Sequence, residues 1–149
     1  MWIRGEEMLE VMRKLWGGGW VEHKGRFYDF PPLEMSPVPS QPIPIFVGGV
    51  SEPALKRAAT LGDGWLSDLH SADEISAIVA KLQGYRADSE RADIPFSVYA
   101  AVTDVFDVDG YARLEEAGVT HVVTMPWYFY GGMSDSLENK SDGMRRFGD

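Results

Sequence analysis

The 149-residue chain contains no cysteine. That excludes a disulfide framework, a thiolate metal site and a cysteine nucleophile. It permits a reducing compartment, so a cytoplasmic location is the expectation. Basic residues are also scarce: 14 Lys and Arg stand against 23 Asp and Glu, for a formal net charge of −9. Nucleic-acid binders usually carry a basic patch, and anionic membrane surfaces recruit basic segments, so neither is an expected partner. No apolar run approaches the roughly 20 residues that span a bilayer. Histidine is represented only by His23, His70 and His121, with no ligand spacing among them, so no metal site is expected. Asp107-Val108-Asp109-Gly110 looks like part of a calcium loop. The first loop position would be the apolar Val105, however, and Asp107 capping a helix is the simpler reading.

What the chain does have is an ordinary globular composition, 44% hydrophobic and 25% charged. Its patterning alternates. Met8, Met12 and Leu15 fall at helical spacing, widened by Leu9, Val11 and Trp16, and predict a helix over about 4–16 that stops at Gly17-Gly18-Gly19. An excursion at about 20–42 follows. Its first part, Val21 to Phe30, reads as a small hairpin turning at Lys24-Gly25, and Pro31 to Pro42 reads as a proline-rich loop.

Four strand-plus-helix units come next. Ile43 to Val47 is a buried strand ending at Gly48-Gly49, and Ser51 or Glu52 opens a helix closed by Gly62. Gly64 to Ser67 is a short strand, and Ser71 with Glu74 forms a capping box for the helix after it. Pro95 to Val102 is a strand, followed by a helix over about 107–117 that ends at Gly118. His121 to Thr124 is a strand, then a loop carries Pro126-Trp127 and Gly131-Gly132, and a last helix runs from about Ser134 to Phe147. Strands alternating with helices imply a parallel sheet with right-handed crossovers. The short repeat suits a (β/α) barrel, with a flavodoxin-like FMN-binding sheet as the other possibility. Four units are half of an eight-stranded barrel. Such a half leaves strand edges unpaired, so a further half before Met1 or self-association is the expectation.

Several residues could carry chemistry. Gly48, Gly49, Val50 and Ser51 lie between a buried strand and a helix start, where glycines admit a ligand and free amides favour a phosphate. The same residues would equally make a tight turn with Ser51 as N-cap. Asp63-Gly64-Trp65 opens the next strand, with Trp65 in the core or facing a cofactor. His70 is expected just past that strand, at the end where barrel active sites sit, as a proton donor or substrate contact. Trp127, among Tyr128, Phe129 and Tyr130, could line a substrate pocket or close the barrel end. No catalytic Ser/His/Asp set, phosphate-binding Walker motif or carboxylate pair is readable.

Taken in order, these segments resemble one family. Glu7-Met8-Leu9-Glu10-Val11-Met12-Arg13 with Leu15-Trp16 is similar to the helix midway through luciferase-like monooxygenases. The stretch with His23, Gly25, Phe27 and Tyr28, the strand Pro42 to Gly49, the run Ala54 to Ala59 and Leu61-Gly62-Asp63-Gly64-Trp65 follow in that family's order. Glu116 to Thr120 and Met125-Pro126-Trp127 resemble its end, in the F420-dependent branch.

The resemblance implies a TIM (β/α)8 barrel of the luciferase-like type, with 1–149 as its C-terminal half. It implies a flavin- or deazaflavin-dependent oxidoreductase using coenzyme F420, with FMN as the alternative, on a small organic substrate. Gly48, Gly49, Val50 and Ser51 would hold the cofactor's phosphate or ribityl tail, with Asp63, Gly64 and Trp65 nearby. The family's usual catalytic histidine has no counterpart here, so the catalytic residues are unassigned. A non-catalytic cofactor-binding or remnant domain is the competing expectation.

Overall fold

A computed structural model describes residues 2–131 and 136–148. It divides into two compact units, Met1–Leu66 with Lys81–Phe96, and Ser67–Ala80 with Ser97–Asp149. The element order is α1 (Trp2–Trp16), β1 (Trp20–Lys24), β2 (Asp29–Glu34), β3 (Phe46–Gly48), α2 (Glu52–Leu61), β4 (Gly64–His70), α3 (Ala72–Ala87), β5 (Ser97–Val102), α4 (Val108–Ala117), β6 (His121–Val123), α5 (Trp127–Gly131) and α6 (Leu137–Gly148). A two-stranded sheet pairs β1 with β2, and a four-stranded sheet runs in the order β3-β4-β5-β6. Its β3–β4 and β5–β6 pairs are parallel. This is the α/β pattern expected from the alternating sequence.

In the first unit, α1 ends at Trp16, and Gly18 and Gly19 then take positive φ of 76° and 75°. Leu9 and Val11 are its buried apolar residues, whereas Met8, expected on the core face, is 43% exposed. The helix touches both β1 and α2, so its buried stripe is set by two neighbours rather than one. The hairpin strands are antiparallel, and Gly25 N–H donates to Tyr28 O at 2.8 Å, so the chain turns over Gly25–Tyr28 rather than at Lys24-Gly25 alone. Pro31 and Pro32, expected in a loop, lie within β2. A two-stranded ribbon has only edges, where proline's missing donor costs little.

Strand β3 is short, and β4 continues to His70, three residues beyond the expected end. Ala54, Leu55, Ala58 and Ala59 make the buried face of α2. Gly62 closes that helix in an extended conformation, with φ of −81°. Glycine is needed there for space: a Cβ would stand 2.7 Å from Ala58 O.

In the second unit, Ser71 N–H donates to Glu74 Oε2 at 2.9 Å and Glu74 N–H donates to Ser71 Oγ at 3.3 Å, which is the capping box anticipated for α3. Gly110 N–H donates to Asp107 Oδ1 at 2.7 Å, so Asp107 caps α4. Leu114, Val98, Ala100, Ile75, Val79, Val105 and Val119 are buried in this unit. The segment after β6, expected as a loop, forms the five-residue helix α5. The start of the last helix at Ser134, and Gly132, lie outside the described residues. Gly118 ends α4 at φ of 102°. Alanine there would enter a left-handed conformation costing about 1–2 kcal/mol. Gly118→Ala should therefore lower the unfolding free energy by that amount, read as a lower urea midpoint with the m-value unchanged.

Candidate functional site

The strand-to-helix turn after β3 is built by glycine. Gly49 has φ of 99°, a region L side chains rarely adopt. Its carbonyl accepts from Trp65 Nε1 at 3.0 Å, and Trp65 is fully buried. Trp65 pairs in register with Val47 on the neighbouring strand, so its indole reaches the end of that strand to fix the Gly49 peptide. Val50 is 49% exposed, and Ser51, at the N-cap of α2, makes no side-chain cap hydrogen bond. Pro53 has no N–H, which leaves Glu52 and Ala54 among the first-turn donors.

A phosphate-bearing cofactor tail fits this turn in three respects: a left-handed glycine, an unused serine hydroxyl, and amides at the positive end of α2. Glu52 opposes it. Its hydrogen bond and ion pair with Lys56, at 2.7 Å, hold its carboxyl below the usual range, so it is ionised at neutral pH, but Lys56 offsets that charge.

Asp63 is placed differently. It precedes β4, beside Ile45 at the amino ends of the strands, whereas Gly48 and Gly49 lie at the carboxyl end of β3. Its Oδ2 accepts from Ile45 N–H at 2.8 Å and from Arg13 Nη2 at 3.0 Å, and its Oδ1 accepts from Arg91 Nη2 at 2.5 Å. Burial pushes this carboxyl up, but the Ile45 amide, then Arg13, then Arg91 outweigh it and hold it below the ordinary value. Arg13 also donates to Leu61 O at 2.6 Å, and Arg86, 6% exposed, donates to Ala59 O at 2.7 Å and Ile94 O at 2.8 Å. Asp63 thus ties α1, the start of β4 and the Arg91 segment together. Both its oxygens are occupied by protein donors. Gly64 follows it as a buried residue in register with Phe46.

In the second unit, His70 is the last residue of β4 rather than a loop residue beyond it. Its carbonyl accepts from Thr103 N–H at 3.0 Å, its Nδ1 lies 3.6 Å from Glu74 Oε2, and its buried Nε2 has no partner among the described residues. Trp127 opens α5, with Lys140 Nζ 5.7 Å from its ring centroid. A Cβ at Gly143 would collide with the Trp127 backbone, so α6 packs closely there.

Sequence reasoning missed Glu7. Its carboxylate accepts from the amides of Arg26 at 3.2 Å, Phe27 at 3.0 Å and Tyr28 at 2.8 Å, and from His23 Nε2 at 3.3 Å. Burial raises this carboxyl, and the Tyr28, Phe27, His23 and Arg26 hydrogen bonds together bring it below the usual value. Gly25 leaves the space that the carboxylate fills, since a Cβ there would overlap Glu7 Oε1. The available signal was a lone glycine at a hairpin tip next to a helix carrying Glu7. Among the described residues no group of three or more His, Asp or Glu side chains could hold a metal ion, and no helix is long and apolar enough to cross a membrane.

A parallel sheet with flanking helices places the chain in the α/β class. The chain belongs to the luciferase-like monooxygenase family, whose model matches residues 2–144. The uncharacterized protein Rv0940c of Mycobacterium tuberculosis is 37% identical over 147 residues, covering 97% of this chain and 50% of that protein. Pyrimidine monooxygenase RutA of Allorhizobium ampelinum is 31% identical over 113 residues, covering 73% of this chain and 31% of the relative. The F420-dependent glucose-6-phosphate dehydrogenase of Gordonia bronchialis is 30% identical over 96 residues, covering 60% and 28%. The chain spans about half the length, or less, of these curated relatives. Among solved structures, riboflavin lyase (RcaE) with modified FMN and riboflavin matches with a TM-score of 0.55 at 12% identity, covering 78% of this chain and 32% of that one. That match bears on fold, and it agrees with a four-stranded half of a (β/α)8 barrel.

Proposed function

We propose that this chain is the C-terminal half, 1–149, of a flavin- or deazaflavin-dependent oxidoreductase. In this reading it binds the cofactor's phosphate-bearing tail and acts on a small organic substrate by hydride transfer or monooxygenation. Relatives named for F420 and for pyrimidine monooxygenation support the cofactor class, with F420 the first candidate and FMN the alternative. The observation that carries the reading is the turn at Gly49, left-handed at φ of 99° and locked by the Trp65 indole at 3.0 Å.

Gly48 and Gly49 let the backbone approach the tail, Val50 covers it, and Ser51 offers its hydroxyl. When bound, the cofactor supplies the redox chemistry. The chain's own part is to hold the tail and keep the turn rigid. Asp63 and Gly64 support this indirectly, by anchoring the strand that carries Trp65. His70 and Trp127 are proposed substrate contacts from the second unit. The strand edges at β3 and β6 call for a further half-barrel, from the same polypeptide family or from a second copy of this chain.

Titration of the purified chain with FMN and with F420, followed by calorimetry and absorbance, tests this. Saturable micromolar binding of one of them is expected. Gly49→Val should weaken it by about tenfold or more, because a β-branched residue resists positive φ. Unchanged affinity in that variant would remove Gly49 from the site. Failure of both ligands to bind would leave the competing reading of a remnant domain.

A further inference from the structure

We propose that an aromatic cleft in the second unit receives a flat aromatic ring of the substrate. Phe106, Tyr111, Tyr128, Phe129, Tyr130 and Phe147 line a cavity of about 440 Å³. All six of these described lining residues are aromatic. Phe106 follows the carboxyl end of β5, and Tyr128, Phe129 and Tyr130 sit in α5, which follows the carboxyl end of β6. Tyr111 comes from α4 and Phe147 from α6. Segments following the carboxyl ends of adjacent parallel strands are where α/β proteins build ligand sites.

The rings are arranged around Phe129. Phe106 meets it edge-on at 5.5 Å and 82°, and Phe147 stacks on it at 5.9 Å and 16°. They remain open to solvent: Phe106 is 67% exposed, Phe147 47%, Tyr128 42% and Tyr130 39%. So much contiguous aromatic surface left wet marks an interaction site rather than a core.

The lining also selects the occupant. Ring faces and edges reward a second flat ring in offset or edge-on contact beyond what its apolar area alone gives. The cavity falls within the about 300–1,000 Å³ of small-molecule pockets. At 4.4 Å from the Tyr130 centroid, the Arg146 guanidinium lies over that ring, 3.8 Å from Asp142 Oδ2. Trp127, the aromatic residue singled out from sequence, does not line this cavity; its neighbours do.

The inference rests on the proposed oxidoreductase reading in one respect only, that the ring belongs to the substrate. The test is calorimetry on the full chain with 2-naphthoate, with its fully saturated bicyclic analogue, and with FMN as competitor. Saturable binding of 2-naphthoate is expected, with the saturated analogue about tenfold weaker. Phe106→Leu and Phe147→Leu should each weaken 2-naphthoate about fivefold. These positions are exposed, so circular dichroism and Tm should match the parent chain. Equal binding of the two analogues, or no loss in either variant, would overturn the proposal, and so would displacement of 2-naphthoate by FMN, which would give the cleft to the cofactor ring. Gly49→Val should leave 2-naphthoate binding intact. Absence of FMN and F420 binding to the parent chain, with 2-naphthoate binding retained, would count against the cofactor reading alone.

Discussion

Trp65→Ala should cost about 3–5 kcal/mol of unfolding free energy, enough to unfold a large fraction of the chain near physiological temperature. Among the described residues Trp65 is the largest fully buried side chain, and its removal leaves a void in the first unit. It also removes the indole N–H that donates to the Gly49 carbonyl at 3.0 Å. Trp65→Phe separates the two effects. It keeps most of the apolar volume and loses the N–H, for about 1–2 kcal/mol from the lost hydrogen bond and a small void. Urea unfolding followed by far-UV circular dichroism measures both. If the indole locks the turn, Trp65→Phe also weakens FMN or F420 binding several-fold at temperatures where it stays folded. A Trp65→Phe protein with parental stability and parental affinity would show that the bond fixes nothing.

Replacing Asp63 should rank second. Asp63→Ala leaves Arg13 and Arg91 facing each other without their shared carboxylate, and leaves the Ile45 amide without its acceptor. Breaking a buried pair costs about 3–5 kcal/mol, and discounting for the carboxylate's 26% exposure gives about 2–3 kcal/mol. Asp63→Asn keeps an acceptor for Ile45 and loses the charge, for about 1–2 kcal/mol.

The pH dependence follows from the direction of the shift. Asp63 sits below its ordinary value when folded. Its contribution is therefore fully present above the unfolded value of about 3.9 and is lost as pH falls through the folded value. Glu7, also lowered, acts in the same direction on the hairpin. Stability of the parent chain should fall on acidification below about pH 4, and the gap between parent and Asp63→Asn should close there. A gap that is the same at pH 7 and in acid would show that the charge is not what matters.

The sequence carried the architecture because that depends on periodicity and punctuation. Alternating strand and helix patterns, the Ser71–Glu74 box, the Asp107 cap and Gly118 are local signals, and each forms as its chemistry dictates. Elements without a local signal were misjudged. Ser67 and Asp68 interrupt the apolar run of β4, so its extension to His70 is visible only once neighbouring chain supplies partners, as Thr103 does for His70 O. Pro31 and Pro32 read as loop because proline is excluded from central strands, but an isolated ribbon has no centre.

The candidate site divides the same way. The Gly48-Gly49-Val50-Ser51 turn is legible from order along the chain. The Trp65–Gly49 bond, the three donors on Asp63 and the carboxylate of Glu7 beneath the hairpin tip join residues 16 to 50 positions apart, a separation no periodicity reports. The aromatic cleft was half legible: Trp127 to Tyr130 stand out as a run, but Phe106, Tyr111 and Phe147 reach it only through the fold.

The central claim, that the Gly49 turn cradles a phosphate-bearing cofactor tail, is tested most directly by comparing FMN with riboflavin. The two share every ring atom and differ in the phosphate. By isothermal titration calorimetry on the full chain, FMN should bind at least about tenfold more tightly than riboflavin, and Gly49→Val should erase the difference. Equal affinities for FMN and riboflavin in the parent chain would contradict the account.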